Sequence, residues 1–180
     1  MKEVLLGVTG SIAAYKAAEI ASSLVKSGIN VNVIMTQSAT KFIAPLTFQS
    51  LTKNKVYTDM FEKVHYNDIR HISLAQRADC VVIAPSTANI IGKIASGLAD
   101  DMLSTVVMAV RKKPIIICPA MNTAMYENRI TQENIKKLQQ YGYQFVEPKE
   151  SRLAEGVVGK GALADVDTII TRIKMSIGED

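Results

Sequence analysis

The sequence predicts an α/β protein: a parallel sheet covered by helices on both faces. Three observations predict it. Short apolar segments alternate with longer stretches of helical spacing. The strand candidates are apolar on consecutive residues, as in Val4-Leu5-Leu6 and Val81-Val82-Ile83, which a sheet buried on both faces requires. A glycine turn, Gly7-Val8-Thr9-Gly10-Ser11, carries the first apolar segment directly into a helical one.

Taken in order, the strand candidates are 4–9, 31–36, 80–84, 114–118 and 143–146. Between the first two, residues 12–26 have helical spacing through Ile20 and Leu24 and stop at Ser27-Gly28, a C-terminal glycine cap. The chain closes on a helix whose Val166, Ile169, Ile170, Ile173 and Ile177 fall on one face, so it packs on the sheet. Residues 56–70 and the polar, glycine-rich 147–165 fit neither period, and long loops of that kind in a compact domain are often functional.

With 180 residues, the chain is expected to form one domain, 1–180, able to bury a core without disulfides or structural metals. At 48% hydrophobic and 21% charged it has an average globular composition, which excludes disordered, collagen-like and coiled-coil classes. The net charge is +4, but the basic residues are scattered, and the one tight group, Arg111-Lys112-Lys113, reads as a solvated loop. No nucleic-acid partner is expected. Every apolar run is interrupted well short of the roughly 18 residues a membrane span needs. Lys2-Glu3 leads into a strand-like segment rather than a secretory signal. A cytoplasmic protein follows as an expectation, with Cys80 and Cys118 as reduced core thiols.

The turn after the first strand suits an anion, since glycines allow close backbone approach and unpaired helix N-terminal amides attract negative charge. Ser11 adds a hydroxyl, or alternatively serves only as a helix N-cap. The spacing is G-x-x-G, without the G-x-G-x-x-G of dinucleotide binders or the Gly-Lys-Ser/Thr of a P-loop. At the end of the second strand, where a dinucleotide site carries an acidic residue for ribose, stand Thr36, Gln37 and Ser38. Neutral donors suit a terminal phosphate, although the same hydroxyls are also fitted to cap the next helix. In a doubly wound sheet the ligand crevice lies beyond the carboxyl ends of the strands. There the third strand gives Pro85-Ser86-Thr87-Ala88-Asn89, and the fourth gives Pro119-Ala120-Met121-Asn122. Small residues beside Asn suit a flat polar ring. His71 opens the helical stretch before the third strand.

These segments, with Gly10 to Lys16, Ala95 to Leu103, Pro119 to Met125 and Gly159 to Asp165, resemble in order the cysteine-decarboxylating flavoproteins, closest to those acting on 4′-phosphopantothenoyl-cysteine. The resemblance implies a flavodoxin-like or Rossmann-like protomer that binds FMN, a homotrimer or a multiple of trimers with its site at subunit contacts, and a step in coenzyme A biosynthesis. By position, Gly10, Ser11 and Ile12 would form the phosphate loop, aided by Thr36, Gln37 and Ser38. Thr87, Ala88, Asn89, Ile90 and Ala120 would line the flavin, and Asn122 and Met125 would face the substrate. His71 takes the catalytic histidine's place, suited to accept a thiol proton near neutral pH. The chemistry needs the flavin. An acylated cysteine has no electron sink for its carboxylate, whereas hydride transfer to FMN from the sulfur-bearing carbon leaves a thioaldehyde that receives the electrons.

One position departs from the pattern. Where members of this group that make the saturated product carry Leu-Ala-Cys-Gly, this chain reads Leu153-Ala154-Glu155-Gly156, so the thiol that would protonate the enethiol is missing. Either Glu155 is the acid, its carboxyl raised above the ordinary value of about 4.3, or the reaction stops at the enethiol, or Glu155 is a solvated loop residue. Flavin prenyltransferases, non-catalytic FMN-binding regulators and electron-transfer flavodoxins are the competing classes. Pro119 to Asn122 and His71 weigh against the first, the short Glu179-Asp180 end against an acidic regulatory tail, and the positive charge against the third.

Overall fold

A computed structural model describes residues 1–61, 70–152 and 158–179. In chain order the elements are β1 (Glu3–Val8), α1 (Ala14–Lys26), β2 (Asn30–Met35), a 3₁₀ turn (Ala39–Lys41), α2 (Pro45–Thr52), β3 (Val56–Tyr57), α3 (Arg70–Arg77), β4 (Cys80–Ser86), α4 (Ala88–Ser96) and α5 (Met102–Ala109). There follow β5 (Ile115–Pro119), α6 (Thr123–Glu127), α7 (Arg129–Gln140), β6 (Gln144–Phe145), β7 (Lys149–Arg152), β8 (Val158–Ala162) and α8 (Val166–Ile177).

Six strands make one all-parallel sheet in the order β3-β2-β1-β4-β5-β6. The consecutive apolar residues of the strands divide between two layers. Val4, Leu6 and Val8 face Ile20 and Leu24 of α1 and Ile169 and Ile173 of α8. Leu5, Val81 and Ile83 face Leu74 of α3, Ile90 of α4, Leu103 of α5 and Leu138 of α7. Both cores are fully apolar in their centres, which is where most of the folding free energy arises. Gly7 admits the second layer: a Cβ there would lie 2.6 Å from Leu103 Cδ1.

All five expected strands form, and the sheet gains the two-residue β3 at its edge from a stretch without periodicity. Gly28 takes the left-handed conformation expected of it (φ 79°). The first helix begins two residues later than its apolar spacing indicates, because residues 11–13 form a turn instead. Ser11 N–H donates to the Thr9 carbonyl (2.9 Å), and Ser11 Oγ accepts from Ala13 N–H (3.3 Å), so Ser11 caps this turn while Ala13 holds the N-cap position. Within 147–165, β7 and β8 pair as an antiparallel hairpin separate from the main sheet. No helix among the described residues is long and apolar enough to cross a membrane.

Candidate active site at the switch point of the sheet

In the strand order 3-2-1-4-5-6 the connections reverse direction between β1 and β4, and the crevice beyond their carboxyl ends is where such a sheet holds a ligand. A buried threonine laces the two strand ends together. Thr9 Oγ1 donates to the Pro85 carbonyl (2.7 Å) and accepts from Thr87 N–H (3.1 Å). Gly10 follows, pressed so closely on the end of β2 that a Cβ would lie 2.5 Å from Ser38 Cβ and 3.1 Å from its backbone carbon.

Two adjoining hollows open on this crevice. One, of about 450 Å³, runs from Thr9 and Gly10 past Thr36, Gln37 and Ser38 to Asn89 and Ile90, with Lys93, Asp101 and Thr58 at its sides. The other, of about 520 Å³, lies between Gly10-Ser11-Ile12 and Ala120-Met121-Asn122, and is walled by Ser151, Gly161, Ala162 and Leu163 of the hairpin region. Gly10, Thr87 and Met125 line both, so one elongated ligand can span the pair. Larger surface hollows of about 720 and 640 Å³ lie beside α8 and α7, lined mainly by charged and polar side chains away from the switch point.

Local bonds fix the lining. Thr36 Oγ1 accepts from Ala39 N–H (3.2 Å), and Gln37 Nε2 donates to the Thr58 carbonyl (3.0 Å). Thr87 caps α4, accepting from Ile90 N–H (3.4 Å). Asn122 caps α6, its Oδ1 accepting from Ala124 N–H (2.7 Å) and Met125 N–H (3.3 Å), which orients the side-chain amide at the edge of the second hollow. The Lys93 ammonium is held by Asp100 (2.7 Å) and Asp101 (2.8 Å), and these hydrogen bonds raise its pKa. Burial works to raise the Asp101 carboxyl, but hydrogen bonds from Lys93 and Ser104 outweigh it and leave the group below its ordinary value. With that cation already matched by two acids, the phosphate-side donors left in the hollow are neutral hydroxyls, an amide and backbone N–H groups.

Of the residues singled out from sequence, Gly10, Ser11, Ile12, Thr36, Gln37, Ser38, Thr87, Asn89, Ile90, Ala120, Asn122 and Met125 meet around these two hollows. Ala88, in the first turn of α4, lines neither. His71, half-buried on α3, lines neither in its own protomer. Glu155 lies outside the described residues. Sequence reasoning gave no role to Thr9, Lys93 or Asp101. The signal for Asp101 was its spacing from Ser104, a capping box that the structure forms in both directions. Cys80 and Cys118 are free, buried core thiols, and burial pushes Cys80 up to about 12 and Cys118 upward as well, so neither is a thiolate near neutral pH. Among the described residues no group of three His, Cys, Asp or Glu side chains could hold a metal ion.

The donor set fits FMN: around the two hollows, neutral hydroxyls and backbone N–H groups suit a phosphate ester, and the apolar and amide side chains beside them suit a ring. A family model described as "Flavoprotein" matches residues 1–178. A probable phosphopantothenoylcysteine decarboxylase from Streptococcus mutans is 49% identical over 174 residues, covering 96% of this chain and 97% of that protein. The coenzyme A biosynthesis bifunctional protein CoaBC of Bacillus subtilis is 48% identical over 179 residues, covering 99% of this chain; the chain spans 44% of that longer protein. Among solved structures, a cysteine-to-serine mutant of PPC decarboxylase complexed with pantothenoylaminoethenethiol superposes with a TM-score of 0.88 at 34% identity, covering 97% of each chain. The FMN-dependent cysteine decarboxylase SpaF gives 0.85 at 30% identity, covering 98% of this chain and 95% of that one. A sheet whose switch point is built for a flavin phosphate, and whose whole length follows these relatives, belongs to the flavoprotein family, in the branch of the phosphopantothenoylcysteine decarboxylases.

Proposed function

We propose that this chain catalyses the FMN-dependent decarboxylation of 4′-phosphopantothenoyl-cysteine to 4′-phosphopantetheine in coenzyme A biosynthesis. The observation that carries the reading is the convergence, at one crevice, of Gly10 from the end of β1, Thr36 and Ser38 from β2, Thr87 from β4 and Asn122 from β5. Gly10, Ser11, Ile12, Thr36, Gln37 and Ser38 would hold the phosphate of FMN, and Thr87, Ala88, Asn89, Ile90 and Ala120 its ring side. When bound, FMN supplies the two-electron oxidant that an α-carboxylate without an electron sink requires.

The chain's own residues then orient the substrate. Asn122 is fixed by the α6 cap at the edge of the second hollow, where its neutral side chain would orient a substrate carboxylate without an ion pair to retain it. Met125, half exposed where the two hollows meet, offers an apolar surface that excludes water from the reacting carbon. His71 would accept the thiol proton. Because it stands outside its own protomer's hollows, this role belongs to a homotrimer in which a neighbouring copy supplies it. Two buried free thiols suit a reducing, cytoplasmic setting.

Glu155 favours a second reading. Where the resembling enzymes hold a proton-donating thiol this chain has a carboxyl group, so the reaction finishes with Glu155 as acid, finishes with a proton from water or another group, or stops at the enethiol. Mass analysis of FMN-loaded protein incubated with 4′-phosphopantothenoyl-cysteine decides. Loss of carbon dioxide alone means full turnover, a product two hydrogens lighter means the enethiol, and unchanged substrate rejects the assignment. His71→Asn is expected to abolish turnover and keep the yellow colour; retained activity removes His71 from the mechanism.

A further inference from the structure

The β7–β8 hairpin supplies a wall of the second hollow through Ser151, Gly161 and Ala162, yet among the described residues it joins no larger sheet. Two paired strands alone are marginal in water, so the contacts that dock them decide how tightly the wall stands. Three kinds of contact do so. Met121 N–H donates to the Gly161 carbonyl (2.9 Å). The missing Cβ of Gly159 and of Gly161 lets β8 lie flush on residues 121–123, where a methyl would come within 2.3 Å of Thr123 Oγ1 and 2.2 Å of the Met121 carbonyl oxygen. Between these two glycines, Lys160 Nζ donates to Glu147 Oε2 (2.9 Å) and stands 5.6 Å over the ring of Tyr126. Tyr126 closes the triangle by donating its hydroxyl to the same Glu147 oxygen (3.0 Å). Its ring is only 6% exposed and anchored in the core layer of α4, α5 and α7. It also sits on α6, the helix that begins with Asn122 and carries Met125.

We propose that Lys160, acting through Glu147 and Tyr126, is a positioning residue that holds the hairpin wall of the substrate hollow against α6. The inference rests on the reading of this hollow as the substrate side of the decarboxylase site. The ammonium ties a strand of the hairpin to a carboxylate on the segment after β6 and to a core-anchored ring on α6, so both walls of one hollow share a single clasp. An exposed ion pair adds little to global stability. It matters here because the unit it restrains opens locally rather than with the whole fold.

The experiment compares FMN-loaded wild type, Lys160→Met and Lys160→Arg by steady-state kinetics on 4′-phosphopantothenoyl-cysteine and by amide hydrogen exchange. The expected result for Lys160→Met is an unchanged flavin content and a KM raised about 3–10-fold with kcat within about twofold. Exchange at the amides of 159–162 and 121 should be several-fold faster, with none of that change in β1 and β4. Lys160→Arg keeps the charge and the stacking and should recover most of both effects. Unchanged KM and unchanged exchange in Lys160→Met overturn the proposal, as does an arginine variant no better than the methionine one. If wild type leaves the substrate untouched, the assigned reaction fails, while the exchange comparison still tells whether the clasp holds the hairpin.

Discussion

The two walls of the crevice are built differently. At the switch point, Gly10, Thr36, Ser38 and Thr87 follow the ends of strands buried on both faces, and Thr9 joins β1 to β4 by two bonds of 2.7 and 3.1 Å. Among the described residues, the opposite wall is a two-stranded hairpin docked through the bond from Met121 N–H to the Gly161 carbonyl, the close approach of Gly159 and Gly161, and the ion pairs Lys160–Glu147 and Lys149–Asp165. The first wall continues the central sheet; the second rests on local contacts beside Leu163 and Ala164, which enter the core layer of α1 and α8 just after β8. The contrast suits a tightly held cofactor on one side and a substrate that must enter and leave on the other.

Single methyl groups break the comparison most directly. Gly10→Ala places a Cβ against Ser38 side chain and backbone, and neither end of the crevice can yield without moving β1 or β2. The expected outcome is colourless protein: FMN affinity down by about 100-fold or more, read by flavin absorbance after gel filtration, with a stability loss of about 1–3 kcal/mol. Gly161→Ala drives a methyl into the Met121 carbonyl and displaces the hairpin from residues 121–123. It is expected to keep FMN and to raise KM about tenfold. A yellow Gly10 variant, or a colourless Gly161 variant, would erase the distinction between the walls.

The same difference governs what could be read before the structure. Val4 to Thr9, Cys80 to Ala84 and the helix ending at Gly28 were legible because burial on both faces and a left-handed glycine leave marks in consecutive residues. The crevice was legible for the same reason, since strand ends in a doubly wound sheet converge by topology. Thr9 was not, because a threonine at the end of an apolar strand gives no sign that its hydroxyl will bridge to Pro85 and Thr87, 76 residues away for the first of these. The hairpin was not, because its residues are polar and glycine-rich. What shapes it is the fit of Gly159 and Gly161 onto residues 121–123, a tertiary contact without a period. His71 carries the same lesson one level up: its helical position was legible, but that α3 leaves it outside both hollows of the protomer follows from tertiary packing, which no local pattern encodes.

Acid sharpens the comparison by a smaller amount. The Lys160 ammonium, with help from the Tyr126 hydroxyl, holds the Glu147 carboxyl below its ordinary value, and Lys149 does the same for Asp165. A carboxylate with a depressed folded pKa lends stability that is present above its unfolded value of about 4 and is lost as the pH falls through the folded one. Hairpin docking should therefore weaken on going from pH 5 to pH 3, whereas the bond from Thr87 N–H to the Thr9 hydroxyl involves no titrating group. Asp101, also depressed, acts on the first turn of α5. After correction for intrinsic rates, exchange at 159–162 is expected to rise about threefold relative to that at Thr87, a modest factor because both pairs are exposed. An equal rise at both places would show that the ion pairs do not set the hairpin's docking.

Each wall also contains one buried hydroxyl without a partner among the described residues, Ser86 at the end of β4 and Thr123 against Gly159. An unpaired buried polar group costs about 1–3 kcal/mol, and removing it leaves a void of a single atom. Ser86→Ala is therefore expected to leave the Tm of the flavin-free protein unchanged or raise it by a few degrees, the smallest effect of the set. Measured again with FMN bound, the variant separates two causes for keeping the serine. If it is neutral in both states, the hydroxyl is an imperfection that the sheet end tolerates. If the FMN-loaded protein alone loses stability, Ser86 meets the cofactor, and the first wall extends one residue deeper than its hydrogen bonds outline.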